Sequence, residues 1–393
     1  MIHLLLVIIY LSFISLGLPD ALLGSAWPSM YEEIGASVSW SGIIFMIISA
    51  GTVVSSLVSD TLTHKLGTGK VTAISVAMTA ATLFGFSTSR SFWMLCLWAI
   101  PYGLGAGSVD ASLNNYVALH YSSCHMSWLH CMWGIGATLG PYVMGHVLAG
   151  GGHWTAGYRQ IAFLQVVLTM ILFVSLPLWK GRHGSANGEE HAENGTEAGP
   201  LSLPEIIRIP GVKEIMASFF CYCALEQTAG LWASSYLVFY KGVDPELAAM
   251  FASMFYIGIT VGRALNGFLT LKLNDTQLIR LGQGIVAVGV LAMLLPMGAA
   301  VSLIGFILVG LGCAPIYPCI IHSTPENFGP DKSHAIVGVQ MASAYVGNIV
   351  MPPLFGMIAE HICITLLPLY LLGILVLMFV MHRRMLRKCK ENR

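Results

Sequence analysis

Charge is scarce in this chain. Its 393 residues include 19 Lys and Arg and 19 Asp and Glu, so 10% are charged and 56% are apolar. A soluble domain carries about 25% charged residues, and this composition excludes one. Formal net charge is zero, so no basic face for nucleic acid is expected. Motifs that would carry chemistry are missing too. The nine cysteines form no Cys-x-x-Cys pair and fall mostly within apolar stretches, which suits packing or free thiols better than disulfides or a metal site. There is no Walker loop, so ATP is not the expected energy source. There is no Gly-x-Ser-x-Gly elbow and no loop large enough for a catalytic domain, so neither an enzyme nor a cofactor is expected. Period-2 alternation is absent, which argues against a β-barrel.

Long apolar runs are what the chain has. Spans of membrane-crossing length fall near 2–30, 38–62, 70–88, 92–119, 126–149 and 159–179. A second set falls near 213–240, 247–271, 278–298, 300–321, 334–358 and 362–381. The first lacks a basic leader region and is followed by eleven others, so it reads as a span and not as a signal peptide. The expectation is an all-α membrane protein of twelve transmembrane helices.

Basic residues set the orientation. With both termini inside, fifteen of the 19 fall on the cytoplasmic side, among them Lys65, Lys70, Lys272, Lys332 and the tail from Arg383 onward. Only Arg90, Arg159 and Lys241 fall outside, and Arg263 reads as the cytoplasmic end of a span. A bacterial plasma membrane with cytoplasmic termini is the expected location. The Asn194-Gly195-Thr196 sequon then lies inside and goes unused.

Residues 183–200 are polar, Gly-rich and acidic, with nothing to bury, and read as a disordered linker. The expected organisation is a six-helix bundle over 1–180, a linker over 181–211, a second bundle over 212–383 and a basic tail over 384–393. The halves repeat one another at an offset of about 206–211 residues. Asp20 and Gly24 match Glu226 and Gly230, and Gly51 matches Gly258. Gly103 matches Gly310, and Gly136, Pro141 and Gly145 match Gly347, Pro352 and Gly356. Parallel six-helix repeats imply a central site between the halves and alternating access by rocking.

At this point the chain resembles the major facilitator superfamily over its whole length. Ser59-Asp60-Thr61-Leu62-Thr63-His64-Lys65-Leu66-Gly67 is similar to that superfamily's cytoplasmic 2–3 loop motif, without its tight Asp-Arg-x-Gly-Arg run, and Gly262-Arg263-x-x-Asn266-Gly267 is similar to the C-terminal counterpart. The resemblance implies a cytoplasmic gating role for Asp60, Lys65 and Arg263. Pro19-Asp20-Ala21-Leu22-Leu23, Asp110-x-x-x-Asn114 and the run from Met126 through His130 and Trp133 to Gly136 resemble the fucose-permease-like sugar:proton symporters. Here Asp110 stands for that group's Glu, and His130 and Trp133 stand for its Gln and Asn.

Asp20, Asp110 and Glu226 lie deep in apolar stretches, where a carboxylate costs roughly 2.5–3.5 kcal/mol. No Lys or Arg is expected at their depth, so they read as proton-carrying groups, against the plainer role of glue between helices. Trp27, Asn114, His130, Trp133, Gln227, Trp232, Tyr236, Tyr317, Gln340 and Asn348 are the candidate solute contacts, expected to face the cavity. For each aromatic, packing or a place in the interfacial belt is the competing role. His130, Trp133 and Ala137 share one helical face, while Gly136 and Gly140 form a small-residue stripe suited to close helix packing. No metal is expected, because no second ligand lies at ligand spacing from His130.

The leading expectation is a monomeric secondary transporter moving a small polar solute, a sugar by the resemblance, with protons. Sodium coupling stays open, since carboxylates also serve Na⁺. Drug:proton antiport is the alternative, suggested by Gly136-x-x-x-Gly140-Pro141-x-x-x-Gly145. A membrane receptor or scaffold without transport is a third reading, disfavoured by the internal repeat.

Overall fold

A computed structural model describes residues 2–121, 123–179 and 203–391. All of the regular structure among them is helical. In chain order the helices are α1 (Ile2–Asp20), α2 (Leu22–Met30), α3 (Ser41–Leu66), α4 (Thr68–Thr88), α5 (Phe92–His120), α6 (Ser123–Ala149), α7 (Trp154–Trp179) and α8 (Leu203–Arg208). They continue with α9 (Val212–Phe239), α10 (Pro245–Leu269), α11 (Asp275–Leu294), α12 (Ala299–Cys313), α13 (Ile316–His322), α14 (Thr324–Phe328), α15 (Pro330–Ile358) and α16 (Leu367–Glu391). A π-helical turn, Ala359–Cys363, precedes α16.

Nine stretches among the described residues are long and apolar enough to cross a membrane. One of them, Ile336–Glu391, holds two consecutive spans. Helices α6 and α9, 27 and 28 residues long, are too polar to qualify yet long enough to cross. Together these are consistent with the twelve expected. The two polar helices carry Trp133 and Glu226, two of the residues singled out in the sequence.

Two boundaries differ from expectation. The stretch over 181–211 ends in the short helix α8, while its acidic part and the Asn194 sequon lie outside the described residues. The basic tail is no separate segment, because α16 runs through Arg383 and Arg384 to Glu391 without a break.

The first span is broken at Ala21, between α1 and α2. Pro19 lacks an N–H, so the carbonyl of Ser15 loses its helical partner. Gln165 of α7, fully buried, donates its Nε2 to that carbonyl at 2.5 Å and accepts from the Ser15 hydroxyl. Such replacement is what permits a proline within lipid.

The two halves pack alike. The pairs α1–α6, α3–α5, α4–α5 and α4–α7 recur as α9–α15, α10–α12, α11–α12 and α11–α16. The repeated glycines make these crossings close. A Cβ on Gly136 would lie 2.1 Å from the carbonyl oxygen of Ile14, and one on Gly347 would lie 2.6 Å from that of Phe220. Gly103 against Ile48 and Gly310 against Phe255 repeat the relation at 2.2 and 2.1 Å. Gly140 meets the Leu18 carbonyl in the same way, so the small-residue stripe does pack closely.

Between the halves, α6 packs on α10, α3 on α15 and α2 on α9. At the end away from the termini, Gly42 touches Pro353, Gly145 touches Met250, and Ser39 is hydrogen bonded to Glu360. One large apolar core spans both halves there, with Trp27, Trp154, Trp232 and Phe355 in it. At the terminus-bearing end the cores are separate. Leu5, Ile8, Phe13, Tyr116 and Trp179 form one from the N-terminal half alone; Ile206, Val212, Ile336 and Val339 form another from the C-terminal half. Among the described residues, the apolar core common to both halves thus reaches the end away from the termini, and each half has a cluster of its own toward the other end.

Candidate functional site: a polar layer between the halves

Asp20 is the last residue of α1, just before the break. Its Oδ1 accepts from the Tyr102 hydroxyl at 2.9 Å and its Oδ2 from the Trp133 indole N–H at 2.7 Å. Both donors are neutral, so the charge of Asp20 is solvated without being cancelled. The Trp133 ring face carries the guanidinium of Arg263, whose Cζ is 5.1 Å from the ring centroid. Arg263 donates Nη1 to the carbonyl of His130 at 3.4 Å and sets Nη2 4.0 Å from Glu226 Oε1. Glu226 is buried, and its other oxygen accepts from the Tyr222 hydroxyl. Tyr256 packs edge-on to Trp133 and reaches over Gly230. A continuous polar layer thus runs from the acid of one half to the repeat-related acid of the other.

Arg263 corrects the expectation that no cation lies near the acids. Its Cα does sit late in α10, eighteen residues after Pro245. A helical side chain, however, points back toward its helix's N-terminus. Because α10 runs toward the terminus-bearing end, that direction carries the guanidinium to the middle of the molecule.

Asp110 stands apart from the layer. Asn114, one turn on, donates Nδ2 to Asp110 Oδ1 at 2.9 Å and to its carbonyl at 3.0 Å. Tyr317 of α13 and Tyr345 of α15 lie within electrostatic reach of Asp110. Tyr317 also packs on Phe219 and Tyr222, which connects it to the Glu226 side.

Several expected solute contacts face elsewhere. Trp27, Trp232 and Tyr236 are fully buried, with their polar atoms given to the carbonyls of Val38, Pro352 and Met293. Gln340 is buried against Thr324. These four pack helices together and correct the expectation that they line a cavity. His130 sets its ring edge against Phe13 and offers Arg263 its carbonyl. Gln227 is half-buried, and the Oδ1 of Asn348 is buried without a protein partner. Lys65 is exposed at the end of α3, and the side chain of Asp60 lies outside the described residues.

Three tyrosines of the layer went unpredicted. Tyr222 was within reach of sequence reasoning, since it precedes Glu226 by four residues on one helical face. Tyr102 and Tyr256 come from α5 and α10 and meet Asp20 and Trp133 only through tertiary packing. Among the described residues no cluster of His, Cys, Asp and Glu could hold a metal ion.

Comparison with known proteins gives a consistent picture. Bypass of stop codon protein 6 of Saccharomyces cerevisiae is 24% identical over 285 residues, covering 67% of this chain and 56% of that protein, so the chain spans little more than half of that relative's length. The glucose/mannose transporter GlcP of Bacillus subtilis is 20% identical over 321 residues, covering 79% of this chain and 77% of that one. A D-xylose-proton symporter structure superposes with a TM-score of 0.76 over 97% of both chains at 13% identity, a likeness of fold. The family model described as Major Facilitator Superfamily matches residues 9–352, and again 215–388. A single model that fits residues 9–352 and then fits the second half again is what a duplicated bundle should produce, and the chain belongs to the major facilitator superfamily.

Proposed function

We propose that this transporter carries a small polar solute, a sugar, across the cell membrane by alternating access in symport with protons. The reading rests on one observation: the acids Asp20 and Glu226, equivalent in the two halves, are joined through Trp133 and Arg263 at the place where the halves meet. A titratable group at such a seam can make the fit between halves depend on whether it holds a proton. Asp110 is the second proton carrier, held by Asn114 and facing the tyrosines of the opposite half. The solute would contact Tyr256, Tyr317, Gln227 and Asn348. Aromatic faces suit the C–H side of a sugar ring, and amides suit its hydroxyls.

The printed names of two similar proteins, a glucose/mannose transporter and a D-xylose-proton symporter, favour a sugar. With both termini cytoplasmic, the end where each half keeps its own apolar cluster faces the cytoplasm and the end joined by Ser39 and Glu360 faces outside. One chain supplies both halves, so a monomer suffices.

The test is uptake into liposomes from a panel of sugars, with pH and sodium gradients imposed separately. Accumulation of at least one sugar on an imposed proton gradient is expected. Accumulation on sodium alone would replace the coupling ion, and proton-driven expulsion of lipophilic cations without sugar flux would replace the function by antiport.

A further inference from the structure

The two ends of Trp133 are engaged by different halves. Its N–H goes to Asp20 at 2.7 Å, within the N-terminal half, and its ring face carries Arg263 of the C-terminal half at 5.1 Å. Among the described residues Arg263 in turn is held by little else. Protein groups supply its guanidinium with one hydrogen bond of 3.4 Å, to His130, and one ion pair of 4.0 Å, to Glu226. Of these three contacts, two are made with α6 of the opposite half. The seat of Arg263 therefore depends on where the indole lies, and the indole lies where Asp20 holds it.

We propose that Trp133 is a positioning residue that conveys the protonation state of Asp20 to the Arg263–Glu226 pair, and so to the contact between the halves. The proposal rests on the proton-symport reading above and assigns the coupling a route. While Asp20 is ionised, the indole N–H makes a charge-assisted hydrogen bond, about twice as strong as a neutral one. Protonation of Asp20 takes away that advantage, frees the ring to turn, and removes the face on which the guanidinium rests. Arg263 cannot shed its charge, so it closes on Glu226 or follows the departing half. No bond is made or broken in the step beyond the proton that Asp20 takes up.

The groups around Asp20 allow this reading. Tyr102 and Asp110 face it from α5, Trp133 from α6 and Tyr256 from α10, while Arg263 of α10 and Glu226 of α9 lie beyond the Trp133 ring, with His130 of α6 against Arg263. From α7, Tyr158 reaches the Tyr102 side. Tyr102 is the internal control, because it also donates to Asp20 but does not touch Arg263. Trp133→Phe keeps an aromatic ring for the guanidinium and loses the N–H together with part of the ring area.

The experiment measures the distance between spin labels on encoded unnatural residues at positions 65 and 332, both exposed near the terminus-bearing end, across a pH titration. In the parent protein, pH should move the ratio of open to closed populations roughly tenfold, the scale of a typical coupling between sites. Trp133→Phe should reduce that change to less than about twofold, while Tyr102→Phe keeps most of it. Arg263→Lys, which retains the charge without the planar stack, should behave like Trp133→Phe and serves if the latter does not fold. A Trp133→Phe protein that responds to pH like the parent overturns the relay alone, as does a Tyr102→Phe protein that loses the response equally. A parent that neither responds to pH nor accumulates solute on a proton gradient overturns the symport reading along with it.

Discussion

Ser39 and Glu360, separated by 321 residues in the chain, are hydrogen bonded across the end of the molecule away from the termini. Glu360 sits in the π-helical turn between α15 and α16, and Ser39 just ahead of α3. The hydrogen bond from Ser39, with others from Ser37 and the charge of His361 nearby, holds the Glu360 carboxyl below its ordinary value of 4.5. A lowered value means that the clasp contributes fully above the ordinary value and is lost as pH falls through the lowered one. Acidification at that face should therefore favour opening. Glu360→Gln should be open more often at neutral pH and lose the part of the acid response at that mouth that the clasp supplies, read by labels flanking the mouth; an undiminished acid response in this variant would refute the role.

Glu226 and Arg263 should be unequal when removed singly. Glu226 can take up a proton if Arg263 becomes Gln, and Tyr222 remains to bond it. Arg263 has no neutral form to adopt if Glu226 becomes Gln, and Trp133 and the His130 carbonyl are left as its supports. Breaking a buried pair costs about 3–5 kcal/mol, and the 4.0 Å separation brings the expected loss for Glu226→Gln down to about 1–3 kcal/mol. Thermal unfolding in detergent should rank Glu226→Gln as the less stable of the two. The reverse order would mean that the guanidinium is held by something other than this pair.

Asp110 bears on coupling in a separate way. Replacing it by Asn keeps the size and leaves Asn114 with an acceptor, but removes the proton site. Accumulation driven by a proton gradient should fall by at least about tenfold, while exchange of labelled solute across equal concentrations falls much less. Equal losses in the two assays would assign Asp110 to solute binding.

The repeated glycines predict a stability contrast. A Cβ at Gly310 would sit 2.1 Å from the backbone oxygen of Phe255, so the helices α10 and α12 must separate. Gly310→Ala should cost about 1–3 kcal/mol. At Gly284 on α11 nothing lies within 4 Å of the added carbon, and Gly284→Ala should be neutral or gain about 0.5–1 kcal/mol from helix propensity. Melting temperatures of the two variants check this directly, and similar shifts in both would contradict the close crossing.

What could be read in advance follows from the range of each physical cause. Spans and repeat are one-dimensional signals, so Gly103 and Gly310 were legible as equivalents before their shared crossing was seen. The acids were legible because burying one is costly wherever it sits. The direction of a side chain is a different matter. Arg263 was misplaced because its position along α10 was counted to the Cα, while the guanidinium lies well back toward the helix start. Trp27, Trp232 and Tyr236 were misjudged for a related reason: a carbonyl such as Pro352 or Met293, supplied by a distant element, has no signature near the aromatic it satisfies. Tyr102 and Tyr256 were invisible because their polar partners sit on other helices.

The break at Ala21 divides the loyalties of the first span. Helix α1 packs on α4, α5, α6 and α7, all of one half, whereas α2 packs on α9 and α10 of the other as well. Any tilt of one bundle against its neighbour must flex the chain at this knuckle, since it is fastened to both sides of the seam. Asp20 is the residue on the inner flank of the knuckle, so the acid and the pivot occupy the same place, and the lever arm between gaining a proton and moving a helix is a single residue long.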